Sequence, residues 1–285
     1  MGQIDHTLYL AAMTLYGLSS ILYIYCFVFR REDRISYAYY GSLAGLVVHS
    51  VAIALRWIES GHGPYVNMYE VLSKYAWFCV VIFLLAQQKY PKIKSAGFAV
   101  MPVAFLMMGV ANTYSRDITT ESASLHSYWL IAHVVFANLA FGSILVAVGI
   151  AALYILKDRR LKKKEIADGE KIDDSFYDRL PSMNVLDDLM YRFVASGLLF
   201  LTIMIAAGAI WANQTWGRYW GWDPTETWSL VTWFMYGLCL HLRMNAGWSG
   251  KRIAWFIIFS IIVLAFSLFG IGYVYSGLHS NYLTS

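Results

Sequence analysis

The sequence predicts an all-α polytopic membrane protein, one integral domain over residues 1–285, with about eight transmembrane helices, both termini outside the cytoplasm and an external tryptophan-rich loop between helices six and seven. Three observations predict it. Hydrophobic residues make up 59% of the chain against 14% charged, and apolar runs of bilayer length recur along it. The runs also lack the alternation of barrel strands. In lipid every backbone polar group needs an internal partner, so the runs are helices.

The runs fall at 7–29, 36–58, 70–88, 96–112, 128–156, 190–212, 225–243 and 253–275. The first lacks a basic leader and an A-x-A cleavage site, so it reads as a span and not as a signal peptide. The second carries Gly41 and Gly45, a small-xxx-small pair suited to close helix contact. Cys26, Cys79 and Cys239 lie inside runs one, three and seven without C-x-x-C spacing, which makes them packing residues. Between runs five and six, residues 157–190 mix charges without a hydrophobic period, as a solvated cytoplasmic linker does. Its KDRRLKKK stretch suits an anionic lipid surface; nothing in it suggests nucleic acid.

Lys and Arg set the orientation. The connections after runs one, three, five and seven hold 17 of the 22 basic residues. The opposite side holds only Arg56, Lys74, Arg116 and Arg218. The positive-inside rule therefore places both termini and the loop 213–224 outside the cytoplasm.

That loop lies in the stretch 211–233, WANQTWGRYWGWDPTETWSLVTW, which holds six of the eleven tryptophans. An interfacial aromatic belt would scatter such residues over many helix ends; here one connection concentrates them. A flat aromatic surface on a polar loop is what a large planar ligand needs. At its end, Asp223, Pro224 and Glu226 have the spacing of a capped helix start. The histidines sort by depth: His133 and His279 lie at the face of the tryptophan loop, His49 near the middle of run two, and His241 toward the inner end of run seven. A lone histidine on an apolar helix is usually a hydrogen-bonded packing residue, although intramembrane ionisable groups are also candidate functional sites. Two imidazoles facing each other across an aromatic platform make an axial pair for haem iron. Arg218 and Arg56 stand where haem propionates would be paired, or where interfacial arginines snorkel. There is no H-E-x-x-H, no cysteine cluster and no Ser–His–Asp signature.

WGRYWGWDPTETWSLVTWFMYGLCLHLR resembles the tryptophan-rich WWD signature of the CcsA/ResC proteins of cytochrome c biogenesis, relatives of CcmC and CcmF. RWIESGHGPYVNMYE at 56–70, HSYWLIAHVVFANLAFGS at 126–143 and SGLHSNY at 276–282 resemble the same branch. The resemblance implies the haem-binding subunit of a System II cytochrome c synthase, acting with a CcsB/ResB partner; the basic cytoplasmic face and the absence of a transit-like N-terminus favour a bacterial inner membrane. Haem b is then presented at the outer face and joined to the C-x-x-C-H motif of an apocytochrome c. It implies His133 and His279 as axial ligands, and Trp216, Trp220, Trp222 and Asp223 as the frame of the haem. It also implies an inner haem site at His241 whose opposite ligand belongs to the partner; His49 in run two is the alternative within this chain, although it maps onto no ligand of the family. Two rivals remain: an exporter handing haem to a separate chaperone, and a b-type electron-transfer subunit.

Overall fold

The computed structural model describes residues 3–118, 125–166 and 175–275. The described residues are helical, with no strand among them. Seven of the helices are long and apolar enough to cross a membrane.

α1 (Ile4–Val28) and α2 (Ile35–Ser60) form an antiparallel pair, and α2 stops where Gly61 turns left-handed at φ 75°. α3 (Met68–Lys89) starts on Asn67, whose side chain accepts the Glu70 N–H. A 3-10 turn over Pro91–Ala96 leads into α4 (Gly97–Ala111). α5 (Tyr128–Ile166), α6 (Ser175–Arg179) and α7 (Met183–Trp216) follow. α8 (Pro224–Met244), α9 (Lys251–Ala265), a π-helical segment over Phe266–Gly270 and α10 (Ile271–Val274) complete the described residues.

The expected spans match these helices in place but not always in extent. α5 continues past residue 156 into the stretch expected as a linker. Its Lys, Arg and Glu residues are good helix formers, and Asp158 pairs with Lys162 one turn on. α7 likewise begins at Met183 and runs on to Trp216, so the tryptophan loop shortens to residues 217–223. α8 has 21 residues and a rise of about 31 Å, long enough to span. It is not one of the seven, because Glu226, His241, Arg243, Trp228, Trp233 and Tyr236 dilute its apolar character. The last expected span is broken at Phe266 by the π segment.

α5 is the hub. On one side it packs against α3 and touches α4; on the other it packs against α7 and α9. α1 to α4 thus form one group, and α7 to α9 another, with α5 between them. Cys26, Cys79 and Cys239 are buried and unbonded to one another, as expected of packing residues.

Candidate haem-binding cleft

The cleft is assembled where α5, α7, α8 and the π segment meet the tryptophan loop. Counting its open mouth it encloses about 830 Å3, within the order of 300–1,000 Å3 usual for ligand pockets. His133, Trp211, Trp220 and Glu226 are among its walls, with Ser229 and Ser267 adding hydroxyls.

The loop is built from its carboxylates outward. α7 ends when Gly217 adopts φ 72°, which glycine does without a Cβ clash. At the start of α8, Asp223 Oδ1 accepts the Thr225 N–H at 2.9 Å. Glu226 Oε2 reaches back to accept the N–H groups of Gly221 at 2.8 Å and Asp223 at 3.1 Å. The expected capping box is therefore present, with Pro224 in the first turn. Between the two bonded amides sits Trp222, a non-glycine residue at φ 56°. Such a conformation costs on the order of 1–3 kcal/mol, and the two bonds flanking it hold it in place. The result turns the Trp222 ring outward, 69% exposed, edge-on to Trp220 at 5.7 Å between centroids. Trp220 faces the cleft. Trp216 packs on Trp211 at 5.1 Å, within a small apolar cluster that includes Leu125 and Leu130. It buttresses the cleft from behind.

His133 enters from the second turn of α5. Its Nδ1 lies 2.9 Å from the carbonyl oxygen of Met204 on α7. A carbonyl can only accept, so Nδ1 carries the proton and Nε2 carries the lone pair. A backbone carbonyl that fixes the tautomer in this way is the usual partner of a metal-ligating imidazole. The approach depends on Gly208, one turn beyond Met204. A Cβ there would lie 2.5 Å from His133 Nδ1 and 3.0 Å from Cε1.

Of the sequence-derived candidates, the structure gathers His133 and Trp220 around the cleft, with Trp222 and Asp223 in the loop that shapes it and Trp216 behind. His279 lies outside the described residues. Arg218 is exposed, its guanidinium folded over Gly221. Arg56 is elsewhere: its Nε donates to Glu70 Oε1 at 2.8 Å, both Nη groups donate to the Arg116 carbonyl at 3.1 Å, and Asp5 lies 3.9 Å away. His49 is fully buried on α2 between Tyr16 and Ser73, whereas His241 is exposed on α8 beside Asn245. The two share no neighbouring helix: α2 packs on α1 and α3, and α8 on α7 and α9. Sequence reasoning missed Gly208, the Met204 carbonyl and the π segment, which brings Ser267 and Leu268 to the cleft wall. Gly208 sits in an ordinary small-residue run, AAGA, with no local signal to single it out.

The site is thus an aromatic-walled cleft with a tautomer-fixed imidazole, set among helices long and apolar enough to cross a membrane. The family described as Cytochrome C assembly protein matches residues 65–279, a span that contains every wall of this cleft. The cytochrome c biogenesis protein CcsA of Parasynechococcus marenigrum is 34% identical over 257 residues, covering 84% of each chain. CcsA of Mesostigma viride is 31% identical over 301 residues, covering 98% of this chain and 95% of its own. The chain thus belongs to the cytochrome c assembly family, among its CcsA proteins, and is an integral membrane protein with a part in cytochrome c maturation. Among solved structures, the cytochrome c haem lyase CcmF superimposes with a TM-score of 0.70 at 17% identity. That match covers 94% of this chain but 46% of the lyase, and it establishes a shared fold.

Proposed function

We propose that this chain binds haem b as substrate at the outer face of the membrane and presents it for thioether formation with the C-x-x-C-H motif of an apocytochrome c, in complex with a CcsB/ResB-type partner. The observation that carries this reading is the His133 imidazole, held by Met204 with Nε2 as its lone-pair nitrogen, at a cleft walled by Trp220. His133 supplies one axial ligand and His279 the other. Trp220 and Trp222 meet the ring plane and its edge, and Trp216 and Asp223 keep the loop in shape. In this reading Arg218, exposed on the loop, pairs a propionate. His241, exposed at the far end of α8, offers one half of an inner haem site whose second ligand comes from the partner. His49 is not available for it, since both ring nitrogens are engaged by Tyr16 and Ser73.

In the reaction, a thiol adds across a vinyl group: sulfur bonds to the inner carbon, a proton goes to the outer one, and the π bond is lost. The protein contributes position more than reagents. Trp220 and the bonded loop fix the plane of the substrate, and His133 fixes its centre. The client histidine displaces one axial imidazole and thereby sets its neighbouring thiols beside the vinyls.

The test is maturation of an exported C-x-x-C-H reporter in cells lacking their own assembly system, with this chain and a CcsB-type partner co-expressed. Covalent haem that survives denaturation, and that is lost on His133→Ala, His279→Ala or Trp220→Ala, is the expected result. Haem bound to the membrane protein with an unmodified reporter would instead favour an exporter.

A further inference from the structure

A second polar system runs through the other half of the molecule, among α1, α2 and α3, which reaches the cleft through Tyr75 of α3. On α1, Tyr9, Tyr16 and Tyr23 recur every seven residues and are all but fully buried. On α2, Ser42, His49 and Arg56 recur at the same interval and are also buried. Two turns at 3.6 residues nearly close on seven, so each trio lies along one helix face. The two helices draw close because Gly41 and Gly45 leave room: a Cβ on Gly45 would lie 2.7 Å from the Tyr16 ring. α3 closes the third side with Glu70, Ser73, Lys74 and Gln87, every one buried.

These groups form a file from one end of the bundle to the other. At one end Arg56 joins Glu70, with His62 Nδ1 4.0 Å from that carboxylate. Tyr69 lies under the Arg56 guanidinium and against Tyr9. In the middle, His49 is gripped at both nitrogens: Tyr16 Oη is 3.4 Å from Nδ1, and Ser73 Oγ is 2.8 Å from Nε2. Tyr9 stands edge-on to the same imidazole while its hydroxyl donates to the Met108 carbonyl of α4. Toward the other end come Ser20 and Ser42, then Tyr23, whose hydroxyl donates to Gln87 Oε1 at 3.2 Å. Gln87 lines a surface cleft with Ser36, Tyr39, Gln88 and Lys94, so the file reaches the surface there.

Direct contacts do not complete it. Asp5 Oδ1, His6 Nδ1, His62 Nε2, Ser19 Oγ and Gln87 Nε2 are buried polar atoms without a hydrogen-bond partner among the described residues. These five lie on this file, whereas Asn138 Oδ1 and Asp158 Oδ2, the other two such atoms among the described residues, lie on α5; buried polar groups clustered in this way are ordinarily bonded by water. Intramembrane ionisable groups are costly in lipid and persist where they carry ions or protons.

We infer that α1, α2 and α3 enclose a water-bridged proton relay, with His49 as the step that side chains alone must make. A proton arriving through Ser73 is taken at one ring nitrogen, and one leaves from the other toward Tyr16; the ring then returns by exchange with its neighbours. No bond other than N–H and O–H is made or broken, and no electron moves. The relay is independent of the haem reading, because its residues are not those of the cleft.

The test is proton equilibration in liposomes that hold the purified full chain and a trapped pH-sensitive dye, after an external pH step. The wild-type protein is expected to speed equilibration several-fold over protein-free vesicles. Tyr16→Phe, which removes a single hydroxyl, and His49→Phe are expected to return it to the protein-free rate. Hydroxyl-radical labelling by irradiated water gives a second reading on the unaltered chain: Tyr16 and Tyr23 should be modified despite their burial. A wild-type rate equal to that of empty vesicles, or one untouched by Tyr16→Phe, would overturn the relay. Unlabelled Tyr16 and Tyr23 would remove the water on which it depends.

Discussion

Gly208→Ala is the sharpest probe of the cleft, because it adds one carbon and no polarity. The new Cβ would sit 2.5 Å from His133 Nδ1 and 3.0 Å from Cε1, closer than packed atoms approach. The neighbour that must yield is an aromatic ring on α5, and α5 packs along α7 over most of its length, so the imidazole turns before the helices part. Turning breaks the 2.9 Å bond to the Met204 carbonyl, worth about 0.5–1.5 kcal/mol, and frees the tautomer it fixes. Loss of such supporting bonds usually lowers metal affinity by about 10- to 100-fold, and we expect haem retention in detergent to fall by that order. The assay is the haem-to-protein ratio after purification, with an absorption spectrum to read the axial ligands. Added imidazole should restore occupancy in His133→Gly but less well in Gly208→Ala, where the displaced ring still fills the site. Gly237→Ala on α8 is the control, since its Cβ would meet nothing within 4 Å. It should leave haem unchanged and, as alanine is the better helix former, cost no stability. Wild-type haem content and spectrum in Gly208→Ala would refute both the contact and the role assigned to His133.

Three further outcomes follow from the same geometry. Glu226→Ala strands the Gly221 and Asp223 amides and removes half the capping box, costing about 1–2 kcal/mol; amide exchange in residues 221–223 should accelerate, and haem binding should weaken. Trp222→Gly relieves the left-handed backbone at φ 56°, so thermal stability should hold or rise while reporter maturation drops, separating fold from function. Arg56→Met deprives the buried Glu70 carboxylate of its arginine and should cost about 3–5 kcal/mol, read as lost expression and a lower unfolding temperature. The double change Arg56→Met with Glu70→Leu should recover much of that, which a propionate-binding Arg56 would not do.

What could be read from the chain follows from which interactions are local. Hydropathy places helices because the lipid requirement acts on every residue of a run, and Asp223-Pro224-Thr225-Glu226 predicts its own capping bonds because all four atoms' partners lie within one turn. Helix ends were legible only where a cap marks them: α5 outruns its apolar stretch because charged residues continue a helix as readily as they leave the membrane. Arg56 read as an interfacial cation because its partners, Glu70 and the Arg116 carbonyl, are 14 and 60 positions away. Gly208 was silent for the same reason, its meaning residing in a ring on another helix.

The placement of α5 gives the molecule its division of labour. Its His133 end faces α7 and the cleft, while its Phe141 packs on Tyr75 of α3, which itself lines the cleft from the opposite side. Two residues earlier on α3, Ser73 holds His49 of the polar file. A strand of contacts therefore runs from His49 through α3 to the cleft wall without any shared ionisable group. Changes that only remove a hydroxyl, such as Tyr16→Phe, should leave haem binding intact. Changes that alter the bulk of Tyr75 should disturb the cleft and the packing of α3 on α5 together. Comparing Tyr75→Phe with Tyr75→Ala distinguishes these routes: the first keeps the ring between α3 and α5 and should retain haem, and the second opens a cavity on both sides at once.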